Sequence, residues 1–338
     1  MSDAASNAPV TFRPIRGEKD AVILEAVHQR CKGADRVDPL SSAESLPSRD
    51  LLRSSIARAL ALGEQGRWTV AEVGEDVAGY SRIACWPERD GTSVYLTLGW
   101  VVPEWRGRGI ATAMLRRAED HIRKLAAAEH PGEKAEFAAN ASSTEKKATE
   151  LLLHEGYRAA YAVLEMRLDF STLAGAPAPT LPLGVRLRPV SPEHIMPIAR
   201  CVGDAYRGEY EAGRYDSSST PEEFSAELRE PKHDPTLWKV AWEGDHVVGQ
   251  VLSVVERGRA EVFEVSVRPG WRRRGLGRAL LALALQEIRA RGLAEIRLHT
   301  RDDFPTRAKD LYADVGFQVL KEFPRYRKPL QGGSRRTR

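Results

Sequence analysis

The sequence contains the same strand, loop and helix segment twice. Residues 265–280 read VSVRPGWRRRGLGRAL, and residues 101–115 read VVPEWRGRGIATAML. In each copy a β-branched run ends at a Pro-x-Trp turn, and an R-x-x-G-x-G/A loop then opens an Ala- and Leu-rich helix. The N–H groups of such a loop and of the first helical turn converge on one point, where the helix dipole favours negative charge. The sequence therefore predicts a duplicated unit with two anion-binding loops.

The spacing of the glycines distinguishes these loops from other nucleotide-binding motifs. Gly275 and Gly277 lack side chains, so a diphosphate can touch the backbone there. No Gly-Lys-Ser/Thr follows either loop, which disfavours a P-loop nucleotide hydrolase. The G-x-G-x-x-G pattern with an acidic residue on the next strand is also missing, which disfavours a Rossmann domain.

The repeat extends over nearly the whole chain and predicts two domains. A length of 338 residues suits two domains of ~150–170 residues each. In both halves the pattern is a first strand, helices, a β-meander, and then strands alternating with helices up to closing strands. This order predicts an α+β fold with a mixed, twisted sheet flanked by helices. The predicted boundaries are 10–170 for the first domain, 171–184 for a Pro- and Ala-rich linker, and 185–330 for the second domain.

Composition bears on the partners and the cellular location that we expect for the protein. The net charge of +4 is mild and part of it lies in the Arg-rich C-terminal tail, so we expect no nucleic-acid partner. The three cysteines, Cys31, Cys85 and Cys201, have neither metal-ligand nor disulfide spacing, so no metal is expected. The N-terminus lacks the apolar core of a signal peptide, and the longest apolar run, 279–285, is too short to span a membrane. A cytoplasmic protein without a membrane partner is the expectation.

The two loops resemble the pyrophosphate loop of the GNAT superfamily of acyl-CoA-dependent N-acetyltransferases, whose signature is Q/R-x-x-G-x-G/A. The resemblance covers about residues 11–330 and implies two tandem GNAT domains with acetyl-CoA as co-substrate. It places the donor in the second domain on Val265, Ser266, Val267, Arg272, Arg273, Arg274, Gly275, Leu276, Gly277 and Arg278. The matching residues of the first domain are Val101, Arg106, Gly107, Arg108, Gly109, Ile110 and Ala111.

The two copies differ where proton transfer is needed. Glu261 starts the strand that leads into the second loop, and strict alternation puts it on one face with Phe263 and puts Glu264 on the other. Glu261 is the predicted general base, with Glu264 or a water as alternatives. The Leu-Tyr-x-x-x-Gly-Phe pattern ending at Phe317 resembles the family motif whose tyrosine protonates the leaving thiolate, which implies Tyr312 as general acid.

The first copy lacks both of these groups. Aligning the loops puts Tyr95 at the position of Glu261, and aligning the final Gly puts Leu152 at that of Tyr312. The second domain is therefore predicted to be catalytic and the first to be degenerate. Within the superfamily, this asymmetry resembles the tandem mycothiol synthases. None of the eight histidines shows a partnered spacing, and His299 is expected to be structural.

The acceptor is predicted to be a small amine. The acidic and Tyr-rich segment 204–216 suits a cationic aminosugar, with Asp204, Tyr206, Glu209 and Glu211 as candidate contacts. Aminoglycoside antibiotics, for which tandem members such as kasugamycin acetyltransferase are known, are one such class. A cysteinyl-aminosugar, as in mycothiol synthesis, is an alternative, as are a protein N-terminus and a non-catalytic acetyl-CoA-binding role. The sequence leaves open whether the chain forms a homodimer.

Overall fold

A computed structural model describes residues 8–44, 46–88, 90–173, 179–211, 220–304 and 306–330, with only the backbone described for 208–211. Contacts group the chain into two compact units. Unit 1 comprises Met1–Tyr161 and Phe323–Arg338, and unit 2 comprises Ala162–Glu322. Part of the predicted linker, residues 174–178, lies outside the described residues.

The strands and helices follow the same order in both halves of the chain. The first half contains β1 (Val10–Arg13), α1 (Asp20–Ala34), α2 (Arg49–Ala61), β2 (Trp68–Val73), β3 (Asp76–Pro87), β4 (Ser93–Val101), α3 (Ile110–Glu129), β5 (Ala135–Asn140), α4 (Lys146–His154) and β6 (Arg158–Asp169). The second half contains β7 (Arg186–Leu187), α5 (Ile195–Glu211), α6 (Pro221–Glu227), β8 (Lys239–Glu243), β9 (His246–Glu256), β10 (Arg259–Val267), α7 (Leu276–Ala290), β11 (Glu295–Arg301), α8 (Ala308–Val315) and β12 (Gln318–Pro329).

Each unit contains a mixed sheet with one parallel pair. In unit 1 the strand order is β1-β2-β3-β4-β5-β12, and β4 runs parallel to β5. In unit 2 it is β6-β11-β10-β9-β8-β7, and β10 runs parallel to β11. The other described pairs within the units are antiparallel. The duplicated α+β architecture with mixed sheets is confirmed.

The closing strands are exchanged between the two copies. β6 ends the first copy in chain order, but Val163–Asp169 of this strand pair with β11 in unit 2. β12 ends the second copy, and Arg325–Pro329 pair with β5 in unit 1. Each sheet is thus completed by a strand from the other copy, and the division by contacts differs from chain order only there.

Both units have cores built on their sheets. In unit 2, residues 247–253 of β9 are all buried, which shows that both faces of the central strand are covered. α7 packs on β8, β9, β10 and β11, and α5 packs on β9 and β10. In unit 1, α3 packs on β2 to β5, and α1 packs on β3 and β4. Among the described residues, no helix is both long and apolar enough to cross a bilayer.

Gly79 is a position where unit 1 has no room for a side chain. It pairs with Val101, and a Cβ built on it would lie 2.3 Å from the carbonyl oxygen of Trp100. Because this neighbour is backbone, Gly79→Ala has to shift strand β4, and we expect a loss of about 2–3 kcal/mol of stability. Urea unfolding measures it, with Gly17→Ala as control because no atom lies within 4 Å of its Cβ position. Equal unfolding midpoints for the two variants would contradict the prediction.

Candidate active site

Strands β10 and β11 separate and open a cleft in unit 2. Their parallel pairing runs from Ala260↔Ile296 to Val262↔Leu298, and beyond it the residues of both strands line a cavity of about 1330 Å³. This volume exceeds the roughly 300–1,000 Å³ of common small-molecule sites. The cleft is bounded by β10, β11, α8, the loop before α7, and the segment around Tyr206 of α5. It therefore has room for a large ligand and a second molecule beside it.

The predicted anion-binding loop forms one end of this cleft. Gly275 has φ +81° and Arg273 has φ +61°, so two residues of the loop adopt the left-handed conformation. Their counterparts in unit 1, Gly109 and Gly107, have φ +78° and +76°. The first hydrogen bond of helix α7 runs from the N–H of Ala279 to the carbonyl oxygen of Gly275. In α3 it runs from the N–H of Ala113 to the carbonyl oxygen of Gly109. The N–H groups ahead of these bonds have no acceptor within the helix, which is the backbone arrangement expected of an anion cradle.

Two arginines of the loop, Arg272 and Arg274, make contacts within the protein. Arg272 donates from Nε to the carbonyl oxygen of Val267 at 3.2 Å and from Nη2 to that of Ala205, so it holds the loop against β10 and α5. The Arg274 guanidinium lies 4.8 Å from the ring centre of Trp271 and is not part of the described cleft wall. Of the residues predicted to hold the donor in this domain, all except Arg274 line the cleft.

Strand β10 contains a bulge that the sequence pattern did not reveal. Val262 pairs with Ser253 and Glu264 with Leu252, so Phe263 is an extra residue on β10. Glu261 pairs with Val254, and because Val254 and Leu252 share a face of β9, Glu261 and Glu264 share a face of the sheet. The strict alternation expected from the sequence is therefore wrong across Phe263.

Glu264 is a buried carboxyl group in the wall of the cleft. The Tyr206 hydroxyl lies 3.3 Å from its Oε1 and 2.8 Å from the carbonyl oxygen of Val265. Burial raises the pKa of Glu264 to about 7, although the hydroxyls of Ser266 and Tyr206 act in the opposite direction. The carboxyl group thus changes its charge near neutral pH, inside the site.

Glu261 stands one side chain away from the cleft. Its Oε1 lies 3.2 Å from Nδ1 of His299 on the neighbouring strand β11. His299 belongs to the cleft wall, and Glu261 is not among the wall residues in the described part of the chain. The sequence predicts a structural role for His299, since its pairing with Glu261 depends on the parallel alignment of β10 and β11, which local spacing does not reveal.

Tyr312 of α8 lies in the cleft wall and is 6% exposed. Its ring packs edge-on against Phe317 with 6.1 Å between ring centres. Burial, and then the charge of Glu264, raise the pKa of the phenol, so it is protonated at neutral pH. A buried, protonated hydroxyl group is suited to donating a proton to an anion formed in the cleft.

Of the two candidate acceptor contacts whose side chains are described, Tyr206 lines the cleft and Asp204 does not. Tyr206 packs edge-on against Phe304, with 5.8 Å between ring centres. Asp204 instead forms ion pairs with Arg268 at 2.7 Å and Arg207 at 2.5 Å. The side chains of Glu209 and Glu211 lie outside the described residues. Further cleft residues that the sequence analysis did not single out are Arg301, Phe304, Thr306 and Arg307.

Unit 1 retains the loop but not the titrating groups. The parallel pair Tyr95↔Phe137 in unit 1 is equivalent to Glu261↔Arg297 in unit 2. This register shows which residues of the two units are counterparts. Tyr95 corresponds to Glu261, Leu98 to Glu264, Ala139 to His299, and Leu152 to Tyr312.

The loop of unit 1 also has a different arginine contact. Arg106 donates from Nε to the carbonyl oxygen of Val101, as Arg272 does to that of Val267, but it also forms a two-bond ion pair with Asp35 at 2.7 and 2.9 Å. The Asp35 carboxylate therefore neutralises a cation at the base of this loop.

Comparison with known proteins places the fold and the loop in one family. The model of the "Acetyltransferase (GNAT) family" matches residues 35–133 and 202–317. The chain is 30% identical over 320 residues to the mycothiol acetyltransferase of Thermobispora bispora, with 91% of this chain and 95% of that protein covered. It is 28% identical over 230 residues to the mycothiol acetyltransferase of Geodermatophilus obscurus, with 64% and 68% covered.

Solved structures show the same fold over the whole chain. A GCN5-related N-acetyltransferase from Sphaerobacter thermophilus aligns with a TM-score of 0.68 at 23% identity and covers 97% of this chain and 98% of its own. A tandem GNAT protein from the clavulanic acid biosynthesis pathway aligns with a TM-score of 0.62 at 16% identity, covering 96% and 99%. The chain therefore belongs to the GNAT family: it is a tandem GNAT N-acetyltransferase that uses acetyl-CoA as co-substrate.

Proposed function

We propose that unit 2 transfers the acetyl group of acetyl-CoA to a primary amine of a small aminosugar-like molecule. The observation that carries the proposal is the single cleft that contains both the anion cradle, at Gly275 and Gly277, and the titratable residues Glu264, His299 and Tyr312. The proposed donor-binding loop and the proton-transfer groups thus line one cavity in unit 2. In unit 1 the counterparts of these titratable residues are apolar.

The residues of the cleft suit acetyl-CoA in their chemistry. The cradle amides and the dipole of α7 favour a diphosphate, and Arg273 and Arg278 line the same end of the cleft. Residues 265–267 of β10 line the cleft beyond the last pair with β11, so an extended arm can lie along this edge of the strand. When bound, acetyl-CoA supplies an acetyl thioester, whose carbonyl carbon is open to attack by an amine.

The protein has to move protons on both sides of this reaction. An amine attacks only when it is neutral, so the acceptor ammonium group must first lose a proton. We assign to Glu261 a part in this step that is indirect, exerted through a group in the cleft wall, because Glu261 itself is not among the described wall residues. Tyr312 protonates the thiolate that leaves, and it regains its proton from solvent.

Two features support a small amine as acceptor. The wall combines carboxyl and aromatic groups, Glu264, Tyr206 and Phe304, which suit a cation with hydroxyl groups. The relatives named mycothiol acetyltransferases support a second candidate, a cysteinyl-aminosugar, because the chain covers 95% of one of them at 30% identity. An aminoglycoside is the third candidate and shares the same amino-sugar chemistry.

A CoA-release screen tests the proposal. The full-length protein is incubated with acetyl-CoA and, separately, glucosamine, the cysteinyl-aminosugar precursor of mycothiol, a set of aminoglycosides, and a peptide with a free N-terminus. We expect CoA release above the acceptor-free rate with at least one amino sugar, and a product heavier by one acetyl group in mass spectrometry. Binding of acetyl-CoA without release for any amine would favour a non-catalytic binding role, and release with the peptide alone would favour a protein acceptor.

A further inference from the structure

His299 couples the carboxylate of Glu261 to the interior of the cleft. It lies on β11 one residue beyond Leu298, where the pairing with β10 ends. Its Nδ1 is 3.2 Å from Oε1 of Glu261, and the side chains are 20% and 15% exposed. Since the imidazole is part of the cleft wall and the carboxylate lies behind it, any proton taken from the cleft by this pair passes over the imidazole ring.

The chemistry of the pair matches this geometry. When Nδ1–H donates to a carboxylate, the neutral ring carries its lone pair on Nε2, which is then the basic atom. The carboxylate also stabilises the imidazolium that forms when Nε2 takes a proton. Imidazole is the most frequent general base in enzymes at neutral pH. Glu261 thus orients the imidazole and balances the positive charge that the ring gains. The imidazole, unlike the carboxylate, lies in the cleft wall.

Three carboxyl or guanidinium groups on the neighbouring strands and on β11 have contacts of their own. On β6, Glu165 lies opposite His299 in the strand register, and its Oε1 accepts from Nη1 of Arg297 at 3.1 Å. On β11, Arg301 is paired with Asp303 at 2.8 Å. On β10, Glu264 faces Tyr206. Glu261 contacts Nδ1 of His299 directly at 3.2 Å, and this contact orients the ring.

The counterpart positions in unit 1 have changed together. Tyr95 stands where unit 2 has Glu261, and Ala139 stands where it has His299. Tyr95 is fully buried, and burial raises its pKa to about 12, so it offers no base near neutral pH. Both members of the pair are therefore found only in the unit that has the other proton-transfer groups.

We propose that His299 is a catalytic residue that accepts the proton of the acceptor ammonium group at Nε2, and that Glu261 is a positioning residue acting through Nδ1. This inference rests on the proposed function. The ammonium group loses one proton to His299 before attack and a second to water as the C–N bond forms and the C–S bond breaks, and His299 then passes its proton to water. The thiolate receives one proton from Tyr312, and one proton in all is released to water.

Kinetics test the role of His299. With the best amine from the screen, His299→Gln is expected to lower kcat/KM for the amine on the order of 100-fold at pH 7, with unchanged KM for acetyl-CoA. The loss should shrink toward pH 9, because a larger fraction of the amine is then neutral and needs no base. His246→Gln is the control, since His246 is exposed at the start of β9. A His299→Gln variant with the wild-type rate and pH profile overturns the proposal and leaves Glu264 or water as the base.

A second measurement is independent of the acceptor. Two-bond ¹H–¹⁵N spectra of ¹⁵N-histidine-labelled protein report which ring nitrogen carries the proton, and His299→Gln assigns the signal. We expect the Nδ1–H tautomer in the wild type and its loss in Glu261→Gln. An Nε2–H tautomer in the wild type overturns the proposal. If no amine is acetylated while the Nδ1–H tautomer is present, the proposed function has failed and the coupled pair stands.

Discussion

Tyr312→Phe is expected to lower kcat on the order of 100-fold while binding of acetyl-CoA stays within about twofold. The substitution removes one hydroxyl group from the cleft wall and keeps the ring, which packs against Phe317 at 6.1 Å. The backbone of the anion cradle and the ring of residue 312 are both unchanged, so the donor should still bind. What is lost is the proton for the leaving thiolate, and with it the rate of acetyl transfer.

The measurement is steady-state CoA release together with calorimetric titration of CoA. Tyr326→Phe is a matched control, because this buried tyrosine lies in unit 1, where its hydroxyl is 3.3 Å from Oγ1 of Thr149. It should change neither kcat nor binding of the donor. A Tyr312→Phe enzyme with kcat within twofold of the wild type would show that solvent protonates the thiolate.

The sequence was sufficient to predict the architecture and the anion loops, because their signals are local. A β-branched strand, two glycines and a helix start are adjacent in sequence, and the same order occurs twice. The structure confirms the tandem GNAT fold, and the left-handed φ values of Gly109 and Gly275 show why this loop needs glycine there. The positions of β6 and β12 in the sheets could not be predicted from the sequence, since the exchange of closing strands depends on pairing between residues far apart in the chain.

The arrangement of the site was harder to predict, because one extra residue reverses the alternation of a strand. Without the bulge at Phe263, Glu264 would point away from the face that Glu261 occupies. The bulge depends on how β10 meets β9, which the sequence of β10 alone does not encode. The partnership of His299 with Glu261 was missed for a related reason: the two residues are brought together by a parallel pairing across a whole helix.

The comparison of the two units explains why only one is proposed to be catalytic. Sites that hold a diphosphate need backbone conformation, and both units keep it at the equivalent glycines. Proton transfer needs particular side chains, and unit 1 has Leu98, Ala139 and Leu152 where unit 2 has titratable groups. Folding tolerates this change, because apolar residues such as the buried Ala139 and Leu152 avoid the cost of desolvating a charge.

The same cost should be visible in unit 2 as a dependence of stability on the charge of Glu264. Burial raises the pKa of this carboxyl from its usual 4.5 to about 7 in the folded protein. Between these values the folded state binds more protons than the unfolded state, so stability falls as pH rises through this window. The contribution of Glu264 should fall by about 2–3 kcal/mol between pH 5 and pH 8.

Glu264→Gln isolates this contribution, because the amide keeps the shape of the side chain and has no charge to lose. Relative to the wild type, the variant should gain about 2–3 kcal/mol of stability between pH 5 and pH 8. Urea unfolding of both proteins at each pH gives the difference, and all other titrating groups cancel in it. Parallel pH profiles for the two proteins would mean that the carboxyl of Glu264 titrates in the fold as it does in water, and that its buried position beside Tyr206 is wrong.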